Sequence, residues 1–238
     1  MMQKPIIQTV IALMGLCVCL QPLESAEIRG TVVVEYQGMF DPDNSTQAYP
    51  VSVALIPAEG QRMVRRSPRV ERVEIVGNRM RPAFITVQKG DHVKFINRDD
   101  VFHELFSLSP GEPVSLKLGK ASDQSAQQSM VLKQPGTTHF FCRIHSKSYA
   151  RIEVVDTPYL QMVQSGRVFH FVGLAAGEWK LRLASAAGEI RWIPVTAMTS
   201  PPPLQLTITS RGGGIGTGKL RSPAGIAGLY QERRQSER

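Results

Sequence analysis

Short strand-like segments separated by turn residues run through almost the whole chain, and no long segment has a capped helical repeat. Segments such as EIRGTVVVEY and VSVALIPAEG are rich in β-branched residues, and Gly, Pro or Asn turns separate the segments that follow. Such runs predict strands. The sequence therefore predicts an all-β fold, a sandwich or a barrel. The only helical feature that we expect is a single turn near 160–164.

The first 26 residues have the pattern of a secretory signal peptide. Lys4 supplies a positive start, an apolar run covers residues 6–20, and Ala26 is a small residue where cleavage is expected. No later stretch approaches the length of a transmembrane helix. We therefore expect an exported, periplasmic protein that has no stable membrane insertion after removal of the signal.

Export leaves the mature chain with one cysteine. Cys17 and Cys19 leave with the predicted signal peptide, and Cys142 remains without an intramolecular partner. An unpaired cysteine in such a compartment is a buried structural thiol, a metal ligand, a nucleophile or half of an intermolecular disulfide. Cysteine parity and compartment alone leave these alternatives open.

The basic charge of the chain does not indicate a nucleic-acid partner. Lys and Arg number 28 and Asp and Glu number 20, which gives a formal net charge of +8. The tail 211–238 is rich in Gly and holds half of this surplus, and we expect it to be disordered. Aromatic residues make up only 7% of the chain and are not interleaved with the basic ones.

Three side chains form a candidate metal site. His103 lies in NRDDVFHELF, just after a predicted strand, and Cys142 and His145 lie in FFCRIH. A Cys-x-x-His pair beside a strand, with a distant upstream His, suits a mononuclear copper site of the His₂Cys type. Zinc is the rival, but a structural zinc site requires a fourth protein ligand. We expect the three other histidines to be structural or at the surface, namely His92, His139 and His170.

The span from about Val73 to Tyr159 resembles a cupredoxin, the small blue-copper β-sandwich. FITVQKGDHVKFINRDDVFHELFS is similar to the family's approach to its first His ligand, with Asn97 in the usual place, and PGTTHFFCRIH to its Cys-x-x-His finish. With VVDTPY and GLAAGEW further on, the chain is most similar to exported, methylamine-utilisation-like cupredoxin-domain proteins. The resemblance implies one type 1-like copper ion on His103, Cys142 and His145.

Two positions depart from the cupredoxin pattern. The family usually has a weak axial Met shortly after its second His, and the corresponding position is Ser148. Either the site is three-coordinate, or Ser148 or a carbonyl near Phe102 supplies a weak oxygen ligand, or copper is no longer bound. An axial ligand tunes the redox potential, so its replacement should change the potential and the colour. The second departure is Glu104, where the family often has Asn, and it could alter hydrogen bonding around the thiolate.

The flanking segments resemble the two halves of a carboxypeptidase-regulatory-like β-sandwich. Because chain termini of compact domains often lie close together, one domain can be inserted into another. We therefore predict a cupredoxin-like Greek-key sandwich inserted into a second, small sandwich. The predicted boundaries are 1–26 for the signal peptide, 27–68 for the first β segment, 69–157 for the cupredoxin-like domain, 158–210 for the C-terminal sandwich segment and 211–238 for the tail.

The function expected from these features is electron transfer or copper holding, without enzymatic activity. The expected partner is a redox protein or a membrane respiratory complex. One rival is a nucleophilic Cys142 with a nearby His as base, for which the sequence shows no orienting acid. Another is a metal-free scaffold with a degenerate copper site. An electron carrier needs an open apolar face near His145, whereas the polar neighbours 146–148 favour holding or scaffolding.

Overall fold

The computed structural model describes residues 25–36, 49–58, 63, 65–108, 113–186 and 190–210. The predicted tail, and the predicted signal peptide apart from residues 25 and 26, lie outside this part of the chain. The described strands are β1 (Ala26–Tyr36), β2 (Pro50–Pro57), β3 (Val70–Val76), β4 (Arg79–Arg81), β5 (Phe84–Gln88), β6 (His92–Asn97), β7 (His103–Leu108), β8 (Ser115–Leu118), β9 (Gln127–Val131), β10 (Gly136–Cys142), β11 (Tyr149–Val155), β12 (Leu160–Gln164), β13 (Val168–Leu174), β14 (Gly177–Ser185), β15 (Arg191–Ala197) and β16 (Leu204–Ser210).

Strands from the two ends of the described chain form one sandwich, called here the split sandwich. Its sheets have the orders β13-β1-β16 and β12-β2-β14-β15. Thr31 of β1 lies opposite Val168 of β13, and Leu55 of β2 lies opposite Leu181 of β14. The segments on either side of the predicted insertion therefore pair with each other.

The strands between these two segments form a second sandwich, called here the inner sandwich. Its sheets have the orders β5-β11-β10-β7-β8 and β4-β3-β6-β9. Most neighbours are antiparallel, but β5 is parallel to β11 and β3 is parallel to β6. The predicted fold class, two β-sandwiches with one inserted into the other, is confirmed.

Each sandwich has its own hydrophobic core, built from the alternating buried residues of its strands. Phe95 and Phe140 pack in the inner core, with ring centroids 4.8 Å apart. Phe169 and Trp179 belong to the core of the split sandwich. Cys142 is a member of the inner core and lies at one end of it.

The expected helical turn over 160–164 is wrong. This segment is the edge strand β12, which runs antiparallel to β2, with Leu160 opposite Ala54 and Gln164 opposite Pro50. Pairing with β2 decides its conformation, because tertiary context overrides a weak local preference. Among the described residues, helical structure is limited to a 3₁₀ turn at Gln124–Ala126, and no described helix could cross a membrane.

Buried polar contacts join the two sandwiches. Glu153 of β11 accepts a hydrogen bond of 2.6 Å from Arg182 of β14, and Arg151 of β11 donates one to the carbonyl of Ser185. The Thr157 hydroxyl donates to the carbonyl of Leu55 at 2.6 Å. The inner sandwich is therefore connected to the split sandwich by specific contacts as well as by the chain itself.

Candidate metal centre

Neighbouring strands bring the first two candidate ligands together. His103 is the first residue of β7, and Cys142 is the last residue of β10. These strands pair antiparallel, with Cys142 opposite Leu105, so the start of one lies beside the end of the other. The backbone amide of Arg143 donates to the carbonyl of Glu104 at 2.9 Å and extends the pairing past Cys142.

A tight loop returns the third candidate ligand to the same place. The amide of Ser148 donates to the carbonyl of His145 at 3.0 Å, and the amide of Cys142 donates to the carbonyl of Ser148 at 3.2 Å. These two bonds close the loop between β10 and β11. Cys142 is only three positions before His145 in the sequence. Backbone contacts of this loop, rather than a strand, therefore hold His145 beside Cys142.

The three candidate ligand atoms form a nearly regular triangle. Cys142 Sγ lies 3.6 Å from His103 Nδ1 and 3.8 Å from His145 Nδ1, and the two Nδ1 atoms are 3.2 Å apart. The centre of such a triangle is about 2.1 Å from each atom, close to metal–nitrogen and metal–sulfur bond lengths of ~2.0–2.3 Å. One thiolate and two imidazoles in this arrangement fit a single copper ion.

The site is shielded from solvent on its inner side. His103 and Cys142 are buried, with 1% and 5% of their surface exposed, whereas His145 is half-buried. The two imidazole rings lie 4.6 Å apart, centroid to centroid. The predicted ligands His103, Cys142 and His145 are therefore brought together, and His145 is the one nearest to solvent.

A carboxylate that we did not predict orients His103. Its Nε2 lies 3.1 Å from Asp99 Oδ2, while its Nδ1 faces the other two ligand atoms. Asp99 in turn accepts hydrogen bonds from the amides of Gly77 and Asn78 at 2.7 and 2.9 Å. Because a carboxylate at Nε2 favours a proton on that nitrogen, the lone pair of Nδ1 is left for a metal.

The surroundings of this pair favour the charged form of Asp99 and the neutral form of His103. Burial lowers the pKa of His103, although the hydrogen bond to Asp99 opposes this effect. Burial raises the pKa of Asp99, but the hydrogen bonds from Asn78 and Gly77 outweigh burial and lower the pKa overall. A neutral imidazole is the form that binds a metal ion.

Asn97 fixes the loop that carries Asp99. Its side-chain amide donates to the carbonyls of Val101 and Gly119 at 2.7 and 2.6 Å. Its side-chain oxygen accepts the amide of Asp99 at 2.9 Å. Asn97 is itself buried; its contacts with Val101 and Asp99 are within the loop between β6 and β7, and its contact with Gly119 joins that loop to the end of β8. Asn97 therefore positions Asp99, which in turn orients His103.

Ser148 is close to the site in the backbone, since its carbonyl accepts the amide of Cys142. Its side chain is buried, with 1% exposure, and its hydroxyl has no hydrogen-bond partner among the described residues. An unpartnered buried hydroxyl is costly, which favours a role for this atom. That Ser148 supplies a weak axial oxygen ligand stays a prediction.

The surface beside the ligands is partly apolar. Phe102 directly precedes His103, Ile144 directly precedes His145, and their exposures are 56% and 57%. We did not single out either side chain from the sequence, although an apolar residue immediately before each ligand is a visible signal. Glu104 pairs with Arg143, with its carboxylate 3.1 Å from Nε, rather than with a ligand.

The remaining histidines lie outside the site. His92 is exposed at the start of β6, and His170 is exposed and pairs with Glu27 at 2.7 Å. His139 is half-buried and its Nδ1 lies 2.7 Å from the hydroxyl of Tyr149. The expectations for these three side chains, surface or structural, agree with their positions.

Comparisons with known proteins find similar solved structures. No model of a protein family matches the sequence, and no curated protein matches it. A purple cupredoxin from Nitrosopumilus maritimus is 18% identical, with 36% of this chain and 99% of that one covered and a TM-score of 0.30. Amicyanin from Paracoccus versutus is 16% identical, with 36% and 81% covered and a TM-score of 0.30.

A larger protein shares part of its length with this chain. The copper-containing nitrite reductase NirK from Thermus scotoductus SA-01 is 19% identical, with 51% of this chain and 28% of that one covered and a TM-score of 0.33. In this chain, the paired sheets of the inner sandwich carry a His–Cys–His group at one end.

Proposed function

We propose that this chain is an exported, periplasmic protein that holds one copper ion on His103, Cys142 and His145. The observation that supports this most is the triangle of one sulfur and two nitrogen atoms, with sides of 3.2–3.8 Å. When bound, the ion supplies one-electron redox chemistry. The proposed role is transfer of single electrons, or holding of copper, with no enzymatic step.

The residues of the chain would bind and orient the ion and exclude water. Burial of Cys142 and His103 keeps bulk solvent from two of the three ligands. Asp99 fixes the ring of His103, and the backbone bonds of the β10–β11 loop fix His145. Ligands that rest on rigid strands and short loops reorganise little when the charge of the ion changes, which favours electron transfer.

The exposed apolar side chains favour electron transfer over holding. Phe102 and Ile144 adjoin the two histidine ligands in sequence and are more than half exposed. Exposed apolar residues of this kind are frequent in contacts with a partner protein. We propose a redox protein or a membrane respiratory complex as the partner, and no nucleic acid.

Two rival functions each have one observation in their favour. Ser148 stands where the resemblance would place the weak axial Met ligand. The missing thioether favours a metal-free scaffold with a degenerate site. The contacts from Asp99 to His103 and from His103 to Cys142 supply the orienting acid that a cysteine nucleophile would need. However, the thiol is buried and a second imidazole lies 3.8 Å from it, which suits a shared ion better than an attacking group.

Titration of the purified mature protein with Cu(II) tests the proposal. We expect one equivalent to bind, with an intense thiolate-to-copper absorption band and the narrow parallel hyperfine splitting of a type 1 site in electron paramagnetic resonance. Cys142→Ser should abolish the band, because the absorbing transition begins on the sulfur. Ser146→Ala, a change at an exposed position of the same loop, should leave it in place.

The same titration, together with alkylation of the thiol, separates the rival functions. Absence of stoichiometric copper would support the metal-free scaffold. Rapid alkylation of Cys142 in metal-free protein, unaffected by added copper, would support the nucleophile. A band that appears equally in the Cys142→Ser variant would exclude the proposed thiolate ligand.

Asp99→Asn should weaken copper binding about 10- to 100-fold, because the anionic partner of the His103 ring is lost. The affinity would be measured by competition with a chelator of known copper affinity. Asp100→Asn is the matched control, since Asp100 is the next residue and is exposed. Equal affinities of the two variants would contradict the orienting role of Asp99. Thermal unfolding of the metal-free proteins would show whether the fold itself is affected.

A further inference from the structure

The outer surface of one sheet of the inner sandwich is strongly basic. Buried residues on β3, β4 and β6 (Val73, Ile75, Met80, Val93 and Phe95) point into the core. Because side chains alternate along a strand, the residues between and beside them point outward. The outward cations, called here the basic face, are Arg72, Arg79, Arg81 and Lys94.

The strand register places these cations close together. Arg72 of β3 lies opposite Lys94 of β6. On the other side of β3, Arg79 lies opposite Val76 and Arg81 lies opposite Glu74. The three arginines are exposed and Lys94 is half-buried. The basic face is therefore a continuous area over three adjacent strands rather than a set of scattered charges.

Within the part of the chain that the structure describes, this face is not neutralised. Glu74 is the only acidic residue among the outward positions of the three strands, and Arg98 already holds its carboxylate at 2.7 Å. Among the described residues, no carboxylate forms an ion pair with any of the four cations. Like charges on neighbouring strands destabilise a sheet slightly. The stability of the fold therefore does not explain this cluster of cations.

The composition of the basic face suits a protein partner. Three of its four cations are arginine, whose planar guanidinium binds carboxylates in a bidentate manner and is enriched in protein interfaces, where lysine is depleted. Val70 and Val76 on the same side of β3 are 55% and 41% exposed and add apolar contact area. Arginine interspersed with exposed valine is typical of a docking surface for another protein.

The basic face ends beside the metal centre. The turn between β3 and β4 consists of Gly77 and Asn78, and the amides of both bond to Asp99, the residue that orients His103. A protein that docks on β3 and β4 would lie next to the loop that carries the first ligand. This placement connects the surface to the centre without using the exposed residues Phe102 and Ile144.

We propose that the basic face docks a protein that presents a cluster of surface carboxylates. The acidic partner would lie across β3, β4 and β6 and pair with Arg72, Arg79 and Arg81. Charge complementarity of this kind steers encounter and orients a partner, and its effect falls as salt rises. Docking itself needs no copper, so this proposal and the proposed function can fail separately.

The probe for this proposal is cytochrome c with its lysines succinylated, which converts a basic protein surface into an acidic one. We expect measurable binding at low salt, loss of about tenfold or more in affinity between ~20 and ~200 mM salt, and no binding of unmodified cytochrome c. Isothermal titration calorimetry would give the affinities. Equal binding of modified and unmodified cytochrome c would overturn the proposal.

The variant with Arg72→Gln, Arg79→Gln and Arg81→Gln should bind the probe at least about tenfold more weakly. The matched control removes three exposed cations elsewhere, with Lys133→Gln, Arg167→Gln and Lys180→Gln, and should stay within about twofold of the native affinity. Equal weakening in both variants would mean that only net charge matters and would overturn the proposal. The single change Arg79→Gln, at an exposed position beside the turn, is the test if the triple variant does not fold.

Two further measurements complete the test. Vesicles of phosphatidylglycerol and phosphatidylcholine that bind through Arg72, Arg79 and Arg81, together with no binding of the acidic cytochrome, would identify a membrane surface instead and overturn the proposal. Cys142→Ser should bind the acidic cytochrome as tightly as the native chain. A loss of binding in that variant would show that docking depends on the metal centre rather than on the basic face.

Discussion

Replacing Glu153 by alanine should lower the free energy of unfolding by about 3–5 kcal/mol, because the buried Arg182 and the largely buried Arg151 would lose their common partner. Glu153 is 1% exposed and lies between Arg182 Nη2, at 2.6 Å, and Arg151 Nε, at 3.1 Å. The hydroxyl of Thr137 also donates to its two oxygens at 3.0 and 2.9 Å. The contact to Arg151 Nε is ionic, since that N–H has no hydrogen-bond acceptor.

Chemical denaturation of the native and variant chains would measure this change. Glu178→Ala removes an exposed glutamate from the neighbouring strand β14 and is the matched control, with an expected change within about 0.5 kcal/mol. A loss of less than about 1 kcal/mol for Glu153→Ala would show that the two arginines remain solvated. Because Glu153 belongs to the inner sandwich and Arg182 to the split sandwich, the variant should also make the two unfold less cooperatively.

Arg151, Glu153 and Arg182 form a charged triad. Replacing all three residues separates the free-energy cost of an unpaired buried charge from the stability that the ion pairs contribute. Changing Arg151 and Arg182 to Met and Glu153 to Leu should cost less than Glu153→Ala alone, because no buried charge is left without a partner. A larger loss in the triple variant would mean that the triad stabilises the junction beyond charge compensation. Unfolding by the same denaturant gives both values.

The parts of this structure that could be predicted depend on short-range patterns. Alternation and turn residues indicated an all-β chain, and the resemblance of the flanking segments indicated that β1 and β2 would pair with strands beyond the insertion. The Cys-x-x-His spacing and the strand before His103 indicated the candidate ligands. Each of these signals is contained in a few neighbouring residues, which is why they can be recognised without the structure.

The parts that could not be predicted depend on contacts between distant residues. Asp99 was visible only as one member of an acidic turn, and its role needs the amides of Gly77 and Asn78, more than twenty positions away. The ion pair of Glu153 with Arg182 spans 29 positions. The segment 160–164 has no strong local preference, so its conformation is decided by β2. The basic face likewise requires knowledge of which side of β3 and β4 points outward.

Lowering the pH from about 6.5 to about 4 should destabilise the native chain by about 3 kcal/mol through His139 alone. Burial is the main cause, with repulsion from Arg151, and together they lower the pKa of His139 from 6.5 to about 4. In the folded chain, Nδ1 of the ring lies within hydrogen-bond distance, 2.7 Å, of the hydroxyl of Tyr149. The unfolded chain takes up a proton as the pH falls through 6.5, whereas the folded chain does so only near 4, so unfolding is favoured across this interval.

Urea unfolding at several pH values between 7.5 and 4 would test this in the native chain and in His139→Gln. The variant has no titrating group at this position, so the difference in unfolding free energy between the two chains should change with pH, and the native chain should have the steeper loss. His92→Gln removes an exposed histidine and should keep the native slope. Asp91 and Asp99 have lowered pKa values, so their own contribution is lost only as the pH falls below about 4. Parallel pH profiles of native and His139→Gln chains would therefore show that His139 is protonated in the folded state as easily as in the unfolded one, and that its burial does not control the acid stability of this sandwich.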